Sequence, residues 1–274
     1  IILFLICLVI IRHLFFWKAM DVSHLYQSGI MLVGHRGSPK EEPENTLPSY
    51  ERAVEAGLKA VEIDVVATRD GVIVCSHNHD LERETDGFGY IHELDYEDIK
   101  NINAGVKFDR NSIVAMPLLE DVIQALPDDV VINIEIKNVN GFDQKPVKPV
   151  VDLIRKYNLY HRVIVSSFHP FSIGLVKLRD KNIPTAYLWD NEQVPDILKK
   201  PWLVNLVHPD IFHPAVHLVS GEVLNLCRRK GMKMNVWTVN NLPSMKWLLQ
   251  LGVDGIISDF HHLMIEAVKA KETT

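Results

Sequence analysis

The chain has 274 residues, 47% hydrophobic and 23% charged. That composition belongs to a globular protein and excludes disordered, collagen-like and low-complexity classes. A formal net charge of −6 argues against nucleic acid as a partner. Three scattered cysteines, Cys7, Cys75 and Cys227, without a CxxC pair, exclude a disulfide scaffold and a zinc-thiolate site.

Residues 1–29 stand apart. The first seventeen, IILFLICLVIIRHLFFW, are apolar apart from Arg12 and His13. Eleven unbroken apolar residues fall short of the ~20 that span a bilayer. Three readings stand: the tail of a membrane anchor, a signal sequence, or an upstream extension with Met20 or Met31 as the start. The first two imply a membrane-anchored or exported protein, with membrane association through residues 1–17, and the third a cytoplasmic one. Trp17-Lys18 suits an interfacial stop.

From residue 30 the pattern is strand, helix, strand, helix. Apolar runs at 31–35, 60–67, 130–137, 162–168, 183–189, 232–239 and 254–260 read as buried parallel strands. Helical segments lie between them. LPSYERAVEAG starts after Thr46, an expected N-cap, and stops at Gly57. SGEVLNLCRRKG and LPSMKWLLQLG end in Gly231 and Gly252. The remaining strand is expected within 195–213. Residues 71–117 exceed one βα unit and read as an insertion at the barrel mouth. The expected fold is α/β, a (β/α)8 TIM barrel over residues 30–274 with a small insertion after the second strand; such barrels take roughly 250 residues. An open doubly wound sheet would want a phosphate-binding glycine loop, and the chain has neither GxGxxG nor GxxxxGK[ST].

The chemistry begins at VEIDV. Side chains alternate along a strand, so Glu62 and Asp64 share the inner face, about 6–7 Å apart. In VINIEIK the inner face carries Asn133, Glu135 and Lys137. Two carboxylates about 5 Å apart repel by roughly 3 kcal/mol at an effective dielectric near 20. Three of them therefore require a cation, and oxygen ligands favour Mg2+, Ca2+ or Mn2+. The alternative is a set of core ion pairs with Lys137 and Arg36. GHRG (34–37) closes the first strand, where barrel enzymes carry catalytic groups. His35 can move a proton and Arg36 can clamp an anion. PENT (43–46) precedes a helix, so Asn45 and Thr46 also read as caps. SHNHD (76–80) brings a second histidine. Two histidines, a cation and an arginine suit a phosphodiester: one base, one acid, and charge to neutralise the phosphoryl oxygens.

Together, GHRG, PENT, VEIDV, TRDG (68–71), the histidine after it, TDG (85–87), IEIK (134–137), SSF (166–168), WTVN (237–240) and GIISD (255–259) resemble the glycerophosphodiester phosphodiesterase family, whose barrel is shared with phosphatidylinositol-specific phospholipase C. The resemblance covers about residues 30–260. It implies His35 and His77 as the acid/base pair, and Glu62, Asp64 and Glu135 as ligands of one divalent cation (Mg2+ or Ca2+, or Mn2+). It implies Arg36 and Lys137 as phosphate contacts, Trp237 on the substrate pocket and Asn45 beside the site. The implied reaction releases sn-glycerol 3-phosphate and an alcohol from a small glycerophosphodiester; membrane-attached relatives suggest a lysophospholipase D variant. Where the family usually has His-Asp, this chain has His77-Asn78, and His79-Asp80 follows. The 15-residue spacing from Glu62 selects His77. His77-x-His79 also has the form of the metal-binding pair of amidohydrolase barrels, but that pair belongs on the first strand.

Overall fold

A computed structural model describes residues 2–27, 29–108, 113–140, 143–192, 196 and 199–272. Parts of the leader (1, 28), of the expected insertion (109–112) and of the C-terminus (273–274) therefore lie outside the described residues. Eight parallel strands close into a barrel: β1 (Met31–Gly34), β2 (Ala60–Ala67), β4 (Val131–Ile136), β5 (Val163–Ser167), β6 (Thr185–Trp189), β7 (Ile211–Pro214), β8 (Lys233–Val236) and β9 (Gly255–Ser258). Closure is direct, because β1 pairs with both β2 and β9. The expected remaining strand is β7.

The outward side chains make the main core. Val61, Ile63 and Val65 of β2 and Ile132, Ile134 and Ile136 of β4 are buried beneath the helices. These include α2 (Leu47–Glu55), α5 (Val147–Lys156), α6 (Pro170–Arg179), α8 (Gly221–Lys230), α9 (Leu242–Leu251) and α10 (His261–Glu272). Ser220 and Asn241 cap α8 and α9 through their side chains. Thr46 does not cap α2 in that way. Its hydroxyl donates to the Pro43 carbonyl instead, bracing the turn before the helix.

Within the expected insertion, β3 (Ile73–Cys75) runs antiparallel to β2. Val66 of β2 joins Val74, Leu81, Ile91, Ile99 and Met116 in a separate small core beneath the insertion.

The first helix, α1 (Ile2–Phe15), is apolar, with Leu5, Val9 and Phe15 exposed. Beyond it the chain enters the barrel's base. Val22, Leu25 and Tyr26 are buried against Met31, Val33, Ala60, Ile164, Ala186 and Ile211, and the Tyr26 hydroxyl donates to Asn235 Oδ1 at 3.0 Å. Among the described residues, no helix is long and apolar enough to cross a membrane.

Candidate active site

The site forms where the strands end. After β1 the chain turns sharply through His35, Arg36 and Gly37. Gly37 has φ +89°, and a Cβ there would lie 2.5 Å from Ser49 Oγ. A Cβ on Gly34 would meet the Gly37 carbonyl oxygen at 2.4 Å. Only glycine fits either position, and the turn therefore packs directly on α2. Arg36 is itself left-handed at φ +55°. Two bonds hold that backbone: its amide donates to Glu62 Oε2 (2.9 Å), and its carbonyl accepts from Ser49 Oγ (2.9 Å).

Parallel register sets the acidic groups. Glu62 lies beside Asn133 and Asp64 beside Glu135 on the paired strands β2 and β4. Glu62, Asp64 and Glu135 are all buried, with one oxygen from each within 4.8 Å of the others. Burial raises the carboxyl of Glu62 well above its usual range, and Asp64 and Glu135 add to this. Burial also pushes Asp64 upward, but Lys137 and Arg36 outweigh it and hold this carboxyl below its usual range.

Both cations touch the cluster. Lys137 Nζ lies 2.9 Å from Asp64 Oδ1 and pairs with Glu135. Arg36 Nε lies 3.3 Å from Asp64 Oδ2, while its Nη1 lies 2.6 Å from Glu44 Oε1. The core ion pairs anticipated from sequence are thus present, but they do not satisfy every oxygen. Glu62 Oε1 and Asn133 Oδ1 are buried without a hydrogen-bond partner. An all-oxygen set with orphaned acceptors fits a hard divalent cation.

The two histidines reach this centre by different routes. His35 follows β1, and its Nδ1 lies 2.6 Å from Asp259 Oδ1. Asp259 is fixed in turn by the Asn240 amide (2.7 Å). His77 comes from the hairpin. β2 overshoots the rim, β3 folds back with Cys75 opposite Val65, and the Ser76 amide donates to the Asp64 carbonyl at 3.1 Å. That return delivers His77 to the level of Asp64. Burial, followed by the Lys137 charge, pushes its imidazole down to about 4.

One cavity of about 120 Å³ is lined by His35, Arg36, Glu62, His77, Glu135 and Lys137, with Asn133 also on its wall. Phe168 and Trp237 line it too, edge to face at 5.2 Å, and Trp237 Nε1 donates to the His213 carbonyl at 2.7 Å. Asp64 lies behind this wall. Asn45 lies deeper still: it is buried, its Nδ2 donates to Asp64 Oδ2 (2.9 Å), and its Oδ1 accepts from the Asp64 amide (3.0 Å). It positions a carboxylate and does not line the cavity. His79 does not line it either and stands edge-on to His92 at 6.3 Å.

The sequence alone assigns no role to Asp259 or Phe168, although GIISD and SSF contain them. The available signal was barrel closure, which places the end of the last strand beside the end of the first.

A closed barrel with paired imidazoles, an acidic cluster and two cations at the C-terminal strand ends defines a phosphoric diester hydrolase. Comparison with known proteins agrees. Residues 35–263 match the glycerophosphoryl diester phosphodiesterase family. A glycerophosphodiester phosphodiesterase of Caldanaerobacter subterraneus is 33% identical over 251 residues, covering 87% of this chain and 98% of the relative. One from Bacillus altitudinis is 32% identical over 249 residues, covering 88% and 98%. An Oleispira antarctica phosphodiesterase, solved with its product sn-glycerol-3-phosphate, superposes with a TM-score of 0.78 at 25% identity, covering 89% of this chain and 99% of that one. The chain belongs to the glycerophosphoryl diester phosphodiesterase family.

Proposed function

We propose that the enzyme hydrolyses small glycerophosphodiesters to sn-glycerol 3-phosphate and an alcohol, using His35 and His77 as its acid/base pair and a divalent cation on Glu62, Asp64 and Glu135. The observation that carries this reading is the convergence of both imidazoles, Arg36, Lys137 and two of the carboxylates on one cavity. When bound, the cation supplies Lewis-acid neutralisation of the phosphoryl oxygens. Arg36 and Lys137 add fixed positive charge from the protein, and Phe168 and Trp237 hold the glycerol carbons.

The two imidazoles have different partners, and the proposed division of labour is built on that difference. His35 Nδ1 lies 2.6 Å from the Asp259 carboxylate, which orients its ring, and in this scheme His35 gives a proton to the leaving alkoxide. His77 Nδ1 faces the neutral Asn78 amide at 3.2 Å, so His77 enters uncharged and takes the proton from the attacking hydroxyl. A cavity of about 120 Å³ suits a glycerophosphoryl head group.

The test is release of sn-glycerol 3-phosphate from glycerophosphocholine, with and without EDTA. EDTA should abolish turnover, and Mg2+, Ca2+ or Mn2+ should restore it. His35→Ala and His77→Ala should each lower kcat by at least ~10². Glu135→Gln should weaken metal binding by calorimetry. Turnover that survives EDTA removes the cation from this scheme. Wild-type turnover in His77→Ala with loss in His79→Ala moves the second histidine.

A further inference from the structure

His77 is followed by an amide, and a general base needs a partner that decides which of its ring nitrogens is bare. An Asn side chain does not decide this alone, since its oxygen and its nitrogen can exchange places. The structure shows what removes the ambiguity. Asn78 Nδ2 donates to Glu84 Oε1, and Asn78 Oδ1 stands 3.2 Å from His77 Nδ1. Ser76 Oγ donates to the Asn78 carbonyl at 2.9 Å and braces the turn that carries both residues.

Glu84 also lies close to Glu44: one oxygen of each and a ring nitrogen of His77 lie within 4.8 Å of one another, and Glu44 accepts from Arg36 Nη1 at 2.6 Å. The direction of every bond in this chain follows from these contacts. Two carboxyls this close repel unless a proton lies between them, and a proton held there is drawn to the side of Glu84 that faces Glu44. Burial and the Glu44 charge favour its residence on Glu84, whose carboxyl is pushed up to about 8. Whichever oxygen carries that proton, Glu84 Oε1 is left only to accept. Asn78 Nδ2 must then be the donor, Asn78 Oδ1 must accept, and His77 Nδ1 must carry its hydrogen. All the protons point towards Glu44. The charges of Arg36, Glu44, Asp64 and Lys137 act on His77 and Glu84, and among the described residues the polar group within hydrogen-bond distance of Asn78 Oδ1 is His77 Nδ1.

We propose that Glu84 is a positioning residue that acts through Asn78: it fixes the amide, the amide fixes the Nδ1–H tautomer of His77, and Nε2 is thereby left bare to take a proton. This rests on the reading above in which His77 is the general base. It differs from a structural role because Glu84 is needed for its accepting oxygen and not for its charge. In Glu84→Gln the new carbonyl oxygen accepts from Asn78 while the new NH2 donates to Glu44, so every bond keeps its direction. In Glu84→Ala the Asn78 amide is free to turn its NH2 onto Nδ1, which selects the wrong tautomer.

The experiment has three arms on the full chain. In the first, 15N spectra of histidine-labelled wild type and Glu84→Gln should show His77 protonated at Nδ1 and bare at Nε2. In the second, Glu84→Ala should lower kcat for glycerophosphocholine about 10- to 100-fold at nearly unchanged KM, whereas Glu84→Gln should stay within about threefold of wild type. In the third, His77→Ala measures the reading on which this depends. A His77 protonated at Nε2 in the wild type overturns the proposal, even if Glu84→Ala fails to fold. So does a Glu84→Gln as damaged as Glu84→Ala, or a Glu84→Ala with full kcat. Full turnover in His77→Ala sinks the acid/base reading itself, a separate outcome from an inactive His77→Ala beside an active Glu84→Ala.

Discussion

His213 shows what one buried side chain can impose on the whole chain. It lies on β7 inside the barrel with no exposed surface, and burial pushes its imidazole down to about 3 from 6.5. Its bonds agree with a neutral ring. Tyr26 donates to Asn235 Oδ1, so Asn235 Nδ2 is left to donate to His213 Nε2 at 3.2 Å. The unfolded chain binds a proton at this residue below 6.5 and the folded chain only near 3. Across that window the unfolded state carries more protons, so stability rises with pH and is lost as the solution is acidified. Between about pH 4 and about pH 6 this single group contributes a slope of ~1.4 kcal/mol per pH unit. Urea titrations of wild type and His213→Gln across that range should differ in slope by about one proton. Parallel stability profiles would show that this residue does not titrate between the two states. His213 was not singled out from sequence, because a histidine between Phe212 and Pro214 looks the same whether it points into the barrel or out of it.

At the scale of elements, the parallel strands were the most legible part of the sequence. β2 spans Ala60–Ala67, as its apolar run suggested, and the alternation that put Glu62 and Asp64 on one face put Val61, Ile63 and Val65 under the helices. The carboxylate cluster was legible for the same reason, since charge on every second residue of a buried strand must face a polar interior. Contacts made across long separations were not legible. His35 and Asp259 are 224 residues apart and meet only because β9 pairs with β1. Asn45 looked like a cap or a substrate contact, and only the fold shows its amide spent on Asp64. The segment that follows α1 is of the same kind. Nothing periodic marks Val22, Leu25 and Tyr26 as the floor of the barrel, yet all three are buried there. Leu25→Ala leaves a void among the ends of several strands. It should destabilise the chain by about 2–5 kcal/mol in urea while kcat stays near wild type, because the void lies at the base and the proposed site lies at the mouth. A cost below about 0.5 kcal/mol would mean that the segment rests on the barrel without sealing it.

For the molecule as a whole, the position of α1 relative to the cavity decides what α1 can affect. Its anchor points all precede strands. Trp17 stacks on His208 at 4.5 Å and donates to Asn205 Oδ1 at 3.1 Å, just before β7. Lys18 donates to the Arg229 carbonyl and the Ala19 amide to the Lys230 carbonyl, just before β8. These are N-terminal strand ends, whereas His35, His77 and Trp237 all sit at the mouth formed by the opposite ends. The exposed apolar side chains of α1 therefore lie away from the route by which a substrate enters. Deleting residues 1–12 spares His13, Trp17 and the floor of the barrel. It should leave kcat/KM for glycerophosphocholine within about twofold of the full chain, as expected of distant sites that share no partners. Thermal unfolding should separate the two explanations of any loss. A variant with an unchanged transition and a tenfold lower kcat/KM would show that α1 does reach the mouth. A parallel fall in both would show that α1 holds the base together and affects turnover only through folding.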